Sequence, residues 1–384
     1  MITAEFRMLF ARAAGGVWSA PGRVNLIGEH VDYAGGLCLP LALPQRTVVA
    51  AARRDDGLLR LRSTTEPQGW DGPLDTVGPG VPTGWAGYAA GVLWALRAAG
   101  HAVPGIDLLV GESVPPGAGL SSSAALECAV AVAVDELAGL GLAGCDAGRA
   151  ELAAACRRAE NEVVGAPTGG MDQAASLRCT AGHALLLDCH DGTVQQIPLD
   201  LDGAGLALLV IDTRAPHRLA EGRYGARRDA VERATAQLGL ASLRDAAVRD
   251  VDRLADPLLR RRARHVVTEI DRVRATAALL RAGRLREIGP LLDASHDSLR
   301  GDFEVSCTEL DTAVDAARSA EALGARMTGG GFGGSAIALV EARAADRVAG
   351  AVRAAFARAG HREPAFLHAV PSPGATRATP GRRR

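Results

Sequence analysis

The sequence predicts an α/β chain folded as two domains. Apolar strand-like runs alternate with helical runs along it, the pattern of a mixed α/β architecture. Its 384 residues fit about two units at the usual ~150 residues each, and a composition that is 48% hydrophobic supplies material for more than one core. Three glycine-rich segments sit between the periodic runs and carry most of the unusual polar chemistry.

Composition narrows the function classes. With 43 basic and 44 acidic residues the net charge is −1, so no global field draws the chain to nucleic acid or to a membrane surface. No apolar run approaches the ~18 residues of a membrane span, and the first fifteen residues carry Glu5, Arg7 and Arg12, unlike a secretory leader. The seven cysteines are scattered without a Cys-x-x-Cys pair, which argues against zinc and a disulfide framework and for a reducing cytoplasm. The chain contains no lysine, so all 43 basic residues are arginine. Walker-type phosphate loops, protein kinases and Schiff-base enzymes each need a lysine, and all three are excluded.

Taken in order, residues 2–14 read as a helix and Val17–Ala20 as a strand. The segment Pro21–Tyr33 packs Arg23, Asn25, Glu29, His30, Asp32 and Tyr33 among glycines without helical or strand periodicity, and reads as a functional loop or strand end. Glu29, His30 and Asp32 are groups of the kind that read sugar hydroxyls; a metal pair is disfavoured because no second histidine lies nearby in sequence. Strands are expected at 47–53 and 58–62, and a helix over 85–99 with Trp85, Tyr88, Val92 and Leu96 near one face. Trp85 is a candidate for stacking on a nucleotide base, although an aromatic on a helix is more often core.

A strand over 106–110 leads into Val114-Pro115-Pro116-Gly117-Ala118-Gly119-Leu120-Ser121-Ser122-Ser123, and a buried helix follows over 124–142. Gly117 and Gly119 permit close backbone approach and positive φ. The serines fall where a helix begins, so free N–H groups and the positive dipole end form an anion site suited to phosphate. A helix over 146–164 carries Glu160 near its end, and Asp172 lies in the glycine-rich turn beyond it. If that turn folds back, the two carboxylates supply one metal ligand and one base beside the phosphates.

Strands follow at 183–189, 193–197 and 206–211, then a charged helix over 218–238 with Tyr224, and further helices to about 299, their arginines mostly solvated. Residues Arg326–Ser335 match G-x-G-x-x-G formally, but a strand-like run follows where the dinucleotide motif needs a helix, so this reads as a tight wall packed on another loop. A last strand is expected over 364–370, and the tail beyond Pro373 reads as polar and disordered.

Together the three segments resemble those of the GHMP small-molecule kinase family, over about residues 17–375. Gly22–Tyr33 is similar to the sugar signature of its galactokinase branch, Pro115–Ala125 to the family's phosphate loop and Met327–Gly334 to its C-terminal glycine-rich motif. The resemblance implies two domains, an N-terminal one like ribosomal protein S5 domain 2 over 1–200 and a ferredoxin-like one over 201–375, with residues 376–384 as a tail and the active site in the cleft. It implies ATP and D-galactose as substrates and Mg²⁺ as cofactor. Asp172 would then take the proton of the anomeric hydroxyl, with Arg23 beside it and beside the transferred phosphoryl. Glu29, His30, Asp32, Gly169 and Tyr224 would hold the sugar; Gly117, Ala118, Gly119, Leu120, Ser121, Ser122 and Ser123 would cradle phosphate; Ser123 and Glu160 would hold Mg²⁺. An arginine beside Asp172 works against it as a base, but in a loose transition state orienting the hydroxyl matters more than basicity. The chain departs from the family pattern in the stretch Tyr88-Ala89-Ala90-Gly91, where a lysine is common, and at Ser335, where a cysteine is expected. Alternatives are a kinase for N-acetylgalactosamine or arabinose, and a galactose sensor without turnover, which the intact Ser123-Ala124 pair disfavours. A monomer is expected, with a dimer as the alternative.

Overall fold

A strand runs through the first polar motif and organises the N-terminal half. The computed structural model describes residues 2–111, 114–115, 117–215 and 220–378. Pro116, the expected helix start at Arg218 and the tail from Thr379 onward lie outside the described residues.

Helix α1 (Ile2–Phe10) precedes β1 (Gly16–Asn25), β2 (Leu37–Cys38), β3 (Pro40–Arg54), β4 (Leu58–Ser63) and β5 (Trp70–Pro73). Helix α2 (Trp85–Ala98), β6 (Gly105–Val110), α3 (Ser122–Ala138), α4 (Asp146–Arg158), α5 (Met171–Arg178), β7 (His183–Asp188) and β8 (Val194–Pro198) follow. The remainder is β9 (Leu206–Asp212), α6 (Ala220–Leu238), α7 (Val248–Val251), α8 (Pro257–Arg281), α9 (Gly289–Ser298), α10 (Thr308–Ser319), β10 (Gly324–Thr328), β11 (Ser335–Glu341), α11 (Ala345–Ala359), β12 (Ala365–His368) and β13 (Thr376–Arg377).

These strands form a six-stranded sheet in the order β13-β1-β3-β6-β4-β5, a four-stranded one, β10-β11-β9-β12, and a three-stranded one, β2-β7-β8. The large sheet is antiparallel except for the β4–β6 pair. Helices α2, α3 and α4 pack on it in one core, and α1 covers Ala50, Ala52 and Leu109 with Phe6 and Phe10. α3 is buried on every side from Ala124 to Asp135, and nearly all its side chains there are apolar. A second core joins the four-stranded sheet to α6, α8, α10 and α11. A third joins the halves, setting Leu26, Leu39 and Leu120 against Val210, Val273 and Ile337.

Several boundaries differ from the sequence reading, four of them with a plain physical cause. α1 ends at Phe10, where Ala11 turns left-handed (φ 55°). β1 runs on to Asn25, in register from Gly16↔Ala51 to Asn25↔Pro40, so half of the polar motif is strand. Eight successive buried residues there leave no alternation to read. α4 stops at Arg158 and its backbone widens into a π turn over Ala159–Val164 that carries Glu160. The tail is not free beyond Pro373: Thr376–Arg377 add an edge strand to Trp18–Ser19, and Arg46 donates to the carbonyls of Pro373 and Gly374. A two-residue strand paired with residues far away in sequence has no pattern of its own.

Candidate active site

Arg23 on β1 and Asp172 in the first turn of α5 meet as a bidentate pair. Nε donates to Oδ1 at 2.8 Å and Nη2 to Oδ2 at 2.9 Å, while Nη1 donates to the Gly119 carbonyl at 2.9 Å. The arginine side chain is 5% exposed and the aspartate 23%, so the carboxylate has an open edge and the cation is fixed. Ser121, held left-handed at φ 58°, adds a 2.5 Å bond to Asp172 Oδ2. Its hydroxyl thus faces the carboxylate of Asp172. Gly22 is glycine for a steric reason: a Cβ there would come 2.6 Å from the Leu120 carbonyl.

This pair opens onto a cavity of about 230 Å³ that Glu29, His30, Asp32, Glu160, Thr168, Tyr224 and Gly330 also line. Residues as far as 300 positions apart in the chain, such as His30 and Gly330, are thus brought together. Glu29 is 2% exposed. Its Oε1 accepts from Gly329 N (2.6 Å) and Thr328 Oγ1 (3.2 Å); Oε2 accepts from Asn25 Nδ2 and, at 3.2 Å, pairs with Arg326. Burial pushes its carboxyl up, with Arg326 opposing. His30 is neutral: burial lowers its pKa to about 3. Its Nε2 donates to the Gly330 carbonyl (3.1 Å), which leaves Nδ1 to accept from the Tyr33 hydroxyl (3.0 Å). Tyr224 on α6 packs its ring 5.3 Å from that of His30. Burial, and then the nearby Asp172 charge, raise Asp32 to about 6. Gly169 backs the same wall.

The glycine-rich turn passes beside the pair. Gly117 (φ 77°) and Gly119 (φ 71°) take left-handed backbone, and α3 begins at Ser122. Ser335 donates to the Ala118 carbonyl at 2.6 Å, and a Cβ on Gly119 would lie 3.4 Å from Gly334. The third glycine-rich segment is therefore the wall that holds the second one, as expected, and β11 follows it. Ser123 gives Glu160 a hydrogen bond, and Gln173 Nε2 gives it another at 2.6 Å. Burial, then Asp172, raise Glu160 to about 7. Among the described residues no group of three or more His, Cys, Asp and Glu could hold a metal. One buried carboxylate beside one hydroxyl fits an ion that keeps waters and takes phosphate oxygens, as Mg²⁺ does.

Trp85 lines a different cavity, of about 650 Å³, with Gln68, Trp70 and Pro82; its Nε1 donates to the Gln68 carbonyl at 3.0 Å. That cavity adjoins the turn bearing Glu160, because Gly80 N donates to the Val163 carbonyl at 2.8 Å. Sequence reasoning missed the supports from α8. His265 Nε2 donates to the Glu29 carbonyl (3.1 Å), and Glu269 Oε1 accepts from Gly28 N (3.0 Å). Both are fully buried, and on an arginine-rich helix nothing in the sequence separates them from the solvated face.

The fold and this site define a GHMP kinase: the family's N-terminal domain matches residues 87–179 and its C-terminal domain 276–358. The galactokinase galactose-binding signature matches residues 4–53. A galactokinase of Streptomyces coelicolor is 52% identical over 379 residues, 97% of either chain, and one of Bos taurus is 44% identical over 342 residues, 86% of this chain and 85% of that one. The crystal structure of Lactococcus lactis galactokinase with galactose superposes at a TM-score of 0.90 with 32% identity, covering 98% of both chains. The chain belongs to the galactokinase family.

Proposed function

We propose that the chain transfers the γ-phosphoryl group of ATP to the anomeric hydroxyl of D-galactose, in line and without a covalent intermediate. The observation that carries this reading is the Arg23–Asp172 pair. It stands at the junction of a sugar-sized polar cavity and the start of α3.

Galactose lies in the cavity with its ring hydroxyls toward Glu29, His30, Asp32 and Tyr224. Asp172 accepts the hydrogen of the anomeric hydroxyl on its open edge, held in register by Arg23 and Ser121. The proton passes to Asp172 as the oxygen–phosphorus bond forms, and ADP leaves on the opposite side. Arg23 faces the equatorial oxygens of the transferring group, where charge is stabilised most usefully. The N–H groups at the start of α3 and the backbone of Gly117–Ser122 hold the phosphates. Ser123 and Glu160 would hold Mg²⁺, which when bound neutralises phosphate charge. The base takes the cavity between Trp85 and Trp70. Cytoplasmic work suits a chain whose seven cysteines are all free.

ADP release with MgATP, compared across D-galactose, glucose, arabinose, N-acetylgalactosamine and homoserine, tests the reading. Turnover is expected with galactose well above the others. Faster turnover with another sugar would move the specificity, and no turnover with any would overturn the reaction.

A further inference from the structure

Glu127 is a carboxyl group that the mechanism above leaves unused, and it is fully buried in the body of α3. It lies four residues beyond Ser123, one helical turn along the same face. Its Oε2 accepts from Gln173 Nε2 at 3.0 Å, and the same nitrogen donates to Glu160 Oε2 at 2.6 Å. Gln173 is also fully buried and directly follows Asp172 on α5. One amide nitrogen thus ties a helix, a helix start and the widened turn into a single polar knot.

Two atoms of this knot, Glu127 Oε1 and Gln173 Oε1, are buried without a hydrogen-bond partner. Each such orphan is destabilising, and an alanine or leucine in α3 would avoid one of them. Core packing alone therefore does not account for a glutamate here. Burial, and then the charge of Glu160, push the Glu127 carboxyl well above its ordinary range.

We propose that Gln173 and Glu127 are positioning residues for the divalent cation. Glu127 anchors the Gln173 amide, the amide ties down one oxygen of Glu160, and the other oxygen stays available to the ion beside Ser123. The inference rests on the assignment of Ser123 and Glu160 to the metal. Neither Gln173 nor Glu127 touches the ion; they act through Glu160, as the outer partners of metal-binding carboxylates do.

The test is Mn²⁺ binding to the full-length protein, followed by the electron paramagnetic resonance of free Mn²⁺ with galactose and a non-hydrolysable ATP analogue present. Glu127→Leu and Gln173→Leu are expected to weaken Mn²⁺ about 10- to 100-fold, with the rise in Tm on adding galactose unchanged. Glu127→Gln keeps an acceptor for Gln173 and supplies an N–H, so it should bind Mn²⁺ as the parent does. Unchanged Mn²⁺ affinity in both leucine variants overturns the proposal. Should they fail to fold, Gln173→Asn serves instead, because its shorter amide cannot span both carboxylates; parental affinity in that variant overturns it equally. Glu160→Gln is the control: if it too leaves Mn²⁺ binding intact, the metal assignment itself is what falls.

Discussion

The carboxylate of Asp32 stands where a side chain on residue 169 would begin. A Cβ built on Gly169 falls 2.2 Å from Asp32 Oδ2 and 2.9 Å from the Tyr33 nitrogen. One of these groups must move if that position gains a methyl, and the backbone nitrogen is the less free of the two. Gly169→Ala should therefore displace Asp32 from the sugar and raise KM for galactose roughly 10- to 100-fold, the worth of one hydrogen bond to a charged group. KM for ATP should stay as it is. Steady-state kinetics with each substrate varied in turn check this.

Asp172→Asn keeps the shape of the side chain but removes the proposed proton acceptor and the charge that pairs with Arg23. A positioned base is worth about 10²–10⁴-fold in rate, so kcat should drop on that scale. Galactose should still raise the melting temperature, since Glu29, His30, Asp32 and Tyr224 are untouched. Turnover near the parental value would rule out the role given to Asp172.

Asp32 also sets a pH dependence of stability. Its folded pKa of about 6 lies above the ordinary 3.8, so the folded chain holds a proton that the unfolded chain has already released. Stability from this group is complete below about pH 4 and is lost as pH rises through 6, by up to about 3 kcal/mol. Asp32→Asn should flatten that part of the curve of unfolding free energy against pH. A slope between pH 4 and 7 that is identical in parent and variant would contradict it.

Glu160 titrates near 7 for the same reason, burial beside another carboxylate. In the role proposed for it, as a metal ligand, Glu160 must be ionised, so the Mg²⁺ concentration for half-maximal rate should climb as pH falls through 7. Rates at saturating and limiting Mg²⁺ between pH 6 and 8.5 separate this from any effect on the sugar.

Trp85→Ala removes one aromatic wall of the second cavity. Base stacking on an aromatic is worth about 1–3 kcal/mol. KM for ATP should rise roughly 5- to 100-fold on that account, with galactose affinity measured by calorimetry unchanged.

Much of this site was legible in the chain before any coordinates. Polar residues crowded among glycines marked Pro21–Tyr33, three serines after a Gly-Ala-Gly turn marked the helix start, and the run after Gly334 was correctly read as strand. What was not legible has a common cause. Glu269 and His265 look like any polar residue on an arginine-rich helix until α8 is laid against Gly28 and Glu29. Gln173 and Glu127 gain meaning only when α3 and α5 touch. The role of Ser121 depended on a positive φ that its neighbours do not announce. Each of these is fixed by what it meets across the fold, and local pattern carries no trace of that.

The loop proposed to read the sugar belongs to the first half of the chain, yet His265, Glu269, Arg326, Gly329 and Gly330 of the second half hold it. Neither half expressed alone would own a working pocket. Two fragments divided between β8 and β9 should gain galactose affinity only when they reassociate, and galactose should in turn draw them together. The sugar is thereby a ligand of the joint itself, and occupancy is felt as cohesion of the whole molecule.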